Sequence, residues 1–363
     1  MYWQNRFNRE NPDADLEEKI KEIRQHHKDF GYRRIWGKLR VDGIMVNRKK
    51  IQHIVQKLGL QVKSFTHKSR KYNSYKGTIG RIATTLGARY LDEKVFPYSF
   101  REYLGACGVE LEDGWMYGKQ KNIVQQKFAD YFKWGGFPEL LLFRNKRHWL
   151  NNLYEKIILG DVIQRNKVKN EHALRLAVKR LAENVKQPTA YNRLANMVKS
   201  TGVSTNTASI IEYIRYVKEA CLMFTLDNYA SKFVEKETAK KHYFTDNGLL
   251  SIFLTDADTS LLENLCAIHL CKQYNKDDDS PRLFYYNRNI EVDFYIPDES
   301  LAIQAAYSIQ DDDTRTREVN ALVALNKIEP LKKACIITYD EEDTLEVNGL
   351  KIDIVPIWKW LLK

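Results

Sequence analysis

The residues with the plainest chemistry in this 363-residue chain are cations near its start. Arg33, Arg34, Arg48, Lys49, Lys50 and Lys57 are of the type and spacing that grips phosphate. Between them, Gln52, His53 and Gln56 carry donors and acceptors suited to base edges. Lys68, Arg70 and Lys71 follow in the arm KSFTHKSRKYNSYKG, where Phe65, Tyr72 and Tyr75 interleave the charges as in segments that track a nucleic-acid backbone. Residues 1–77 hold 19 Lys+Arg against 8 Asp+Glu, and the remainder holds 39 of each, so the whole net charge of +11 lies in the first fifth. No acid occurs from Gly43 to Leu91. A basic module on a charge-balanced body is expected to bind DNA.

Three helices must hold those cations. Leu16, Ile20, Ile23, His27 and Phe30 recur at helical spacing and predict a first helix ended by Gly31. Tyr32, Ile35, Trp36 and Leu39 make a second stripe, closed by the turn Asp42-Gly43. Asn47 is placed to cap a third helix with Ile51, Ile54, Val55 and Leu58 inward and Gly59 as its stop. Three short helices with a basic, amide-rich third one follow helix-turn-helix logic.

Other constellations carry less. Cys266, His269 and Cys271 have metal-ligand types, but they lie in the apolar run LLENLCAIHL with no second ligand pair, as buried thiols do. The five cysteines include no CxxC pair and suit a reduced compartment. Gly31-x5-Gly37-Lys38-Leu39 approaches a phosphate cradle, yet it is one residue too long and lacks the magnesium-binding hydroxyl. No apolar run is long enough to span a bilayer and the N-terminus lacks a signal-type apolar stretch, so a cytoplasmic chain without membrane contact is expected.

The pattern HHKDFGYRRIWGKLRVDGIMVNRKKIQHIVQKLGLQ with its basic arm resembles the N-terminal helix-turn-helix region of insertion-sequence transposases of the DDE class, over residues 16 to 77. That resemblance implies a catalytic domain with three metal-binding carboxylates downstream. Thr245-Asp246-Asn247-Gly248 imitates one motif of such a domain, but no partner strand precedes it at the right distance and position 282, near the closing acid, is Arg. Transposase catalysis is not expected.

Arg81 to Leu86, Arg89-Tyr90, the run from Val95 to Leu104, and Gly135-Gly136-Phe137-Pro138-Glu139 resemble the end of the nucleotide-binding domain of a family of prokaryotic AAA-type ATPases. Residues 150 to 363 resemble the C-terminal region those ATPases carry. The family's layout puts both nucleotide-binding motifs before residue 80, where the transposase-like head stands instead. The chain therefore reads as a fusion without its own ATP site. No cofactor is expected, with ATP-Mg only if an intact ATPase paralogue supplies the phosphate loop, for example to an arginine near Arg89 or Arg165.

Within the body, a helix through Leu174 to Val185, another from Thr189 to Lys199, a third capped by Ser204, and the strand-like runs CLMFTLDNY and KKHYFTDNGLL around polar SKFVEKETA suggest a winged helix. A helix around Glu263, strands RLFYYNR, EVDFYIP and LAIQAAYSI, the helix TRTREVNALVAL and strand ACIITYD resemble the PD-(D/E)XK nuclease fold. That fold would set its acids at Glu263, Asp293 and Gln304, the last already an amide, and the lysine it needs two residues later is Ala306. Asp277 to Asp279 and Asp311 to Asp313 read as solvated loops. The expectation is a mixed α and α/β multidomain chain: residues 16–77 a DNA-binding head, 78–150 a truncated ATPase end, 151–250 a winged-helix domain and 251–363 an inactive nuclease-like domain. DNA is the expected partner, with an ATPase paralogue or another protein as a further one.

Overall fold

The computed structural model describes residues 12–27, 30–60, 95–275 and 281–363. The arm cations Lys68, Arg70 and Lys71, the motifs at Arg81 and Arg89, and the run Asp277 to Asp279 lie outside the described residues. The chain divides into two units, residues 1–76 and 77–363, and its described residues are mixed α/β.

Among its described residues the head has three helices: α1 (Ala14–His26), α2 (Tyr32–Val41) and α3 (Arg48–Lys57). Ile20, Ile35, Leu39, Ile51, Ile54 and Val55 are its buried core. The helix stop expected at Gly31 falls earlier. His27 closes α1, and Gly31 is instead the extended residue before α2, which leaves Phe30 in the connection. Asn47 caps α3 by accepting from the Lys49 amide, and the Trp36 indole donates to the Val46 carbonyl, which pins the turn between α2 and α3. Gly59 follows α3 at φ +65°, a conformation that costs glycine little.

The second unit begins with α4 (Phe100–Ala106), α5 (Lys119–Trp134) and α6 (Lys146–Lys156), the last running into a π-helical turn at Ile157–Gln164. Next come α7 (Glu171–Glu183), β1 (Thr189–Ala190), α8 (Tyr191–Lys199), α9 (Thr207–Glu219), β2 (Met223–Leu226), α10 (Phe233–Thr238) and β3 (Ala239–Phe244). These strands form an antiparallel sheet in the order β1-β3-β2. Three local expectations change here. Thr189 and Ala190 pair with β3 rather than opening a helix. Asn206, not Ser204, caps α9. The polar run SKFVEKETA contains the helix α10.

The strand KKHYFTDNGLL stops at Phe244, because Asp246 caps the short helix α11 (Asn247–Ser251). Here two segments distant in sequence meet. Gly136 donates its amide to Asp246 Oδ2 at 2.7 Å, while the Gly248 amide donates to Asp246 Oδ1 at 2.8 Å. Gly135 has φ +79°, and a Cβ there would stand 1.9 Å from Asp246 Oδ1. Asn247 donates to the Phe132 and Leu261 carbonyls, and Asn264 donates to Asn247 in turn. Gly135-Gly136 and Asp246-Asn247-Gly248 are thus two halves of one buried lock. The Asp246 that imitates a transposase acid is a structural cap.

The last part comprises α12 (Asp258–Tyr274), β4 (Phe284–Asn287), β5 (Glu291–Ile296), β6 (Leu301–Ala305), α13 (Asp312–Ile328), β7 (Lys333–Thr338), β8 (Asp343–Val347), β9 (Leu350–Pro356) and α14 (Ile357–Trp360). The strands build one six-stranded sheet, β4-β5-β6-β7-β9-β8, with β6, β7 and β9 parallel and the outer pairs antiparallel. The hairpin β8-β9 was not foreseen in the sequence. Nor was the role of Asp311, which accepts from the Thr314 amide to cap α13 and so draws Asp312 and Asp313 into its first turn.

Both sheet faces are covered. Leu322, Leu325, Ile336 and Ile352 pack between α13 and the sheet. The main core draws on residues from Phe100 to Leu362, so the segment after Val95 shares its core with later elements, while the cluster under α13 is separate. Asn228 and Tyr229 hydrogen-bond to Asn287 and Tyr285, which sews the small sheet to the edge of the large one.

Candidate functional site

In the head, α3 turns Ile51, Ile54 and Val55 inward and leaves Arg48, Lys49, Lys50, His53, Gln56 and Lys57 exposed, with Gln52 half-buried. Arg33 and Arg34 are exposed on α2. These cations are not equivalent. Lys50 pairs with Asp13 and Lys57 pairs with Glu17 at 2.9 Å, so one flank of α3 is tied to α1. Arg33 lies against the Tyr32 ring and its hydroxyl, and Arg34 lies over the Phe30 ring. By helical rotation Arg48, Lys49, Gln52 and Gln56 lie away from the flank of Lys50 and Lys57, whereas His53 stands beside that flank.

The second unit holds a different kind of cluster. Glu263 on α12, Asp293 on β5 and Gln304 on β6 do meet. The Asp293 amide donates to Gln304 Oε1 at 2.9 Å, and Gln304 Nε2 donates to the Glu291 carbonyl at 3.0 Å. Glu263 and Asp293 are joined by a residue that sequence reasoning missed, Lys241 of β3. Its Nζ lies 2.9 Å from Asp293 Oδ1, 3.1 Å from Glu263 Oε1 and 3.3 Å from Glu291 Oε1, with the side chain wholly inaccessible. The Tyr243 hydroxyl, two residues along the same strand face, donates to Glu263 Oε1 at 2.7 Å. Asp293 Oδ2 accepts from the Ala305 amide.

Charge decides protonation here. Burial opposes the Lys241 charge, but Asp293, Glu263 and Glu291 outweigh it and hold the ammonium well above its ordinary value. One cation cannot balance three acids. Burial, then the neighbouring Asp293, push Glu263 up to about 8, so the most enclosed acid keeps its proton at neutral pH. Its Oε1 accepts from both Lys241 and Tyr243.

A cavity of about 870 Å³ opens beside the cluster, lined by Lys186, Gln304, Tyr307, Ser308, Arg317 and Glu318 among others. Ala306, where the nuclease resemblance requires a lysine, presents a methyl group to it. Among the described residues, no three His, Cys, Asp or Glu side chains are disposed to hold a metal ion. Cys266, His269 and Cys271 share α12 but not a site: Cys266 is buried in the core, and His269 packs on the Trp360 ring at 4.5 Å.

The signal for Lys241 was present in the sequence. It lies in the run KKHYF between Lys240 and His242, in a central strand that buries both its faces from Lys241 onward. Which of Lys240 and Lys241 turns inward depends on register, which the pairing with β1 and β2 sets. Lys240 turns the other way, to Asp227 at 2.8 Å.

Comparison with known proteins agrees with the division into two units. Residues 10–68 match the model of an HTH-like domain, and residues 125–260 match a Domain of unknown function (DUF8612) that runs from within α5 to the start of α12. An uncharacterised protein of Haemophilus influenzae is 28% identical over 295 residues, covering 78% of this chain and 68% of its own length. An uncharacterised protein of Methanocaldococcus jannaschii is 26% identical over 292 residues, covering 77% of this chain and 65% of its own length. No solved structure matches the chain. No helix among the described residues is long and apolar enough to cross a membrane. The chain thus joins an HTH-like head to a body similar to about two thirds of each of two longer uncharacterised proteins.

Proposed function

We propose that this chain is a DNA-binding protein whose head grips duplex DNA while its body serves as a non-catalytic scaffold. One observation carries the reading: in an HTH-like domain, α3 offers Arg48, Lys49, Gln52, His53 and Gln56 on one solvent face, flanked by Arg33 and Arg34. Cations on that face hold phosphates, and the amides and imidazole reach base edges. The resemblance to a transposase head gives the likeness its most specific form.

Finer readings of the body belong to the same proposal. The order α7-β1-α8-α9-β2-β3 with the sheet β1-β3-β2 supports a winged helix. The helix α12 beside β4-β5-β6, with α13 and β7 behind, supports a nuclease-like fold that has lost its chemistry. The run from Val95 to Leu104 and the Gly135-Gly136 motif support descent from an AAA-type ATPase.

The test is salt-dependent binding of the full chain to duplex DNA. About six phosphate contacts cost about three decades of affinity between 50 and 200 mM salt. Weak binding that ignores salt would remove the proposal.

A further inference from the structure

We infer that Lys241 is the resident cation of the Glu263–Glu291–Asp293 centre, its ammonium standing where a nuclease-type site would seat a divalent metal ion. The acids arrive from two separate elements, α12 and β5, and the lysine from a third, β3, so nothing local in the sequence forces them together. An ammonium has three hydrogens, and three carboxylates lie within 3.3 Å of Nζ. No hydrogen is left over for a substrate.

The divalent ion implied by the nuclease resemblance does not fit these residues. Contacts of 2.9 to 3.3 Å are ammonium–carboxylate spacings, whereas magnesium requires about 2.0–2.1 Å and calcium about 2.3–2.6 Å. Gln304, at the place of the third acid, has both ends of its amide occupied, its oxygen by the Asp293 amide and its nitrogen by the Glu291 carbonyl. It braces β5 against β6 and offers no charge. Lys241 itself is sealed from solvent, whereas Asp293 and Glu291, the latter 40% exposed, reach the neighbouring cavity. The centre is therefore a charge cluster whose cation, rather than every member, is shut away from water. Its cation is covalently part of the chain and ties β3 of the small sheet to the large sheet.

The experiment uses the full chain stripped of metals with a chelator, and follows Mn²⁺ uptake through the electron-paramagnetic-resonance signal of free Mn²⁺. Wild type and Asp293→Asn are expected to give the same isotherm. If Asp293→Asn removes a Mn²⁺ site from the otherwise intact protein, the inference fails. Lys241→Met opens the position and is expected to bind Mn²⁺ at least about tenfold more tightly than wild type, a gain lost again in Lys241→Met/Asp293→Asn. A folded Lys241→Met that gains no such site overturns the inference. Should Lys241→Met not fold, Lys241→Met/Asp293→Asn decides: removing one acid from the uncompensated cluster is expected to raise the melting temperature and soluble yield above those of the single variant. No recovery counts against a charge cluster.

Discussion

Lysine serves opposite purposes in the two units of this molecule. In the head, Lys50 and Lys57 lie about half exposed and meet Asp13 and Glu17 across solvent. In the body, Lys241 is sealed among three acids and a tyrosine hydroxyl. Water screens the first pairs, so they contribute little to stability. Burial leaves Lys241 and Glu263 unscreened, so these two depend on their partners, while the partly exposed Glu291 is the member that water still reaches. A cation kept for an external partner is one whose removal the fold barely registers. A cation used internally is one the fold cannot do without.

The largest test of that contrast is Lys241→Met, expected to destabilise the second unit by about 3–5 kcal/mol in chemical denaturation, because three acids would be left without their cation. A loss below about 1 kcal/mol would mean that solvent reaches Lys241. Next comes Gly135→Ala, expected to cost about 2 kcal/mol or more, since φ +79° and the 1.9 Å approach to Asp246 both oppose a side chain.

The pH dependence follows from Glu263. Its folded value of about 8 stands above its ordinary 4.5, so the folded state binds the extra proton. The stability from this group is complete below pH 4.5 and is lost as pH rises through 8. Melting temperature against pH should therefore slope downward over that window, and Glu263→Gln should flatten it. An unchanged slope would assign the titration to another group.

In the head, Arg48→Ala/Lys49→Ala should lower the salt slope of DNA binding by about 2 without altering the melting of the body. Smallest of all, Lys57→Ala should change stability by no more than about 0.5 kcal/mol, read by denaturation of the full chain. An equal loss of affinity from Lys57→Ala and Arg48→Ala would show that the ion pair with Glu17 does not hold Lys57 away from DNA.

Much of the head was legible in the sequence because its order is local. The spacing of Ile20, Ile35, Leu39, Ile51, Ile54 and Val55 announces three amphipathic helices, and Asn47 announces a cap. The stop at Gly31 was misread because glycine serves equally before a helix and after one. In the body, strands β4 to β7 were visible from their β-branched and aromatic runs. The hairpin β8-β9 was not, since the outward half of Asp343–Val347 is polar. Glu263, Asp293 and Gln304 were expected to gather, and they do. Lys241 was not expected, because two adjacent lysines look alike until strand register turns one inward.

Composition and period by themselves determined that the charge is concentrated in the head, that three helices carry it, and that Ala306 and Gln304 cannot supply a nuclease's lysine and third acid. Only the tertiary structure decided that Lys241 fills the centre, that Asp246 is a cap for Gly136, and that Lys50 and Lys57 turn toward α1. Those outcomes depend on residues 22 to 110 positions apart in the chain. Their meeting is fixed by strand register and by a shared core, and neither can be read from a local window of residues.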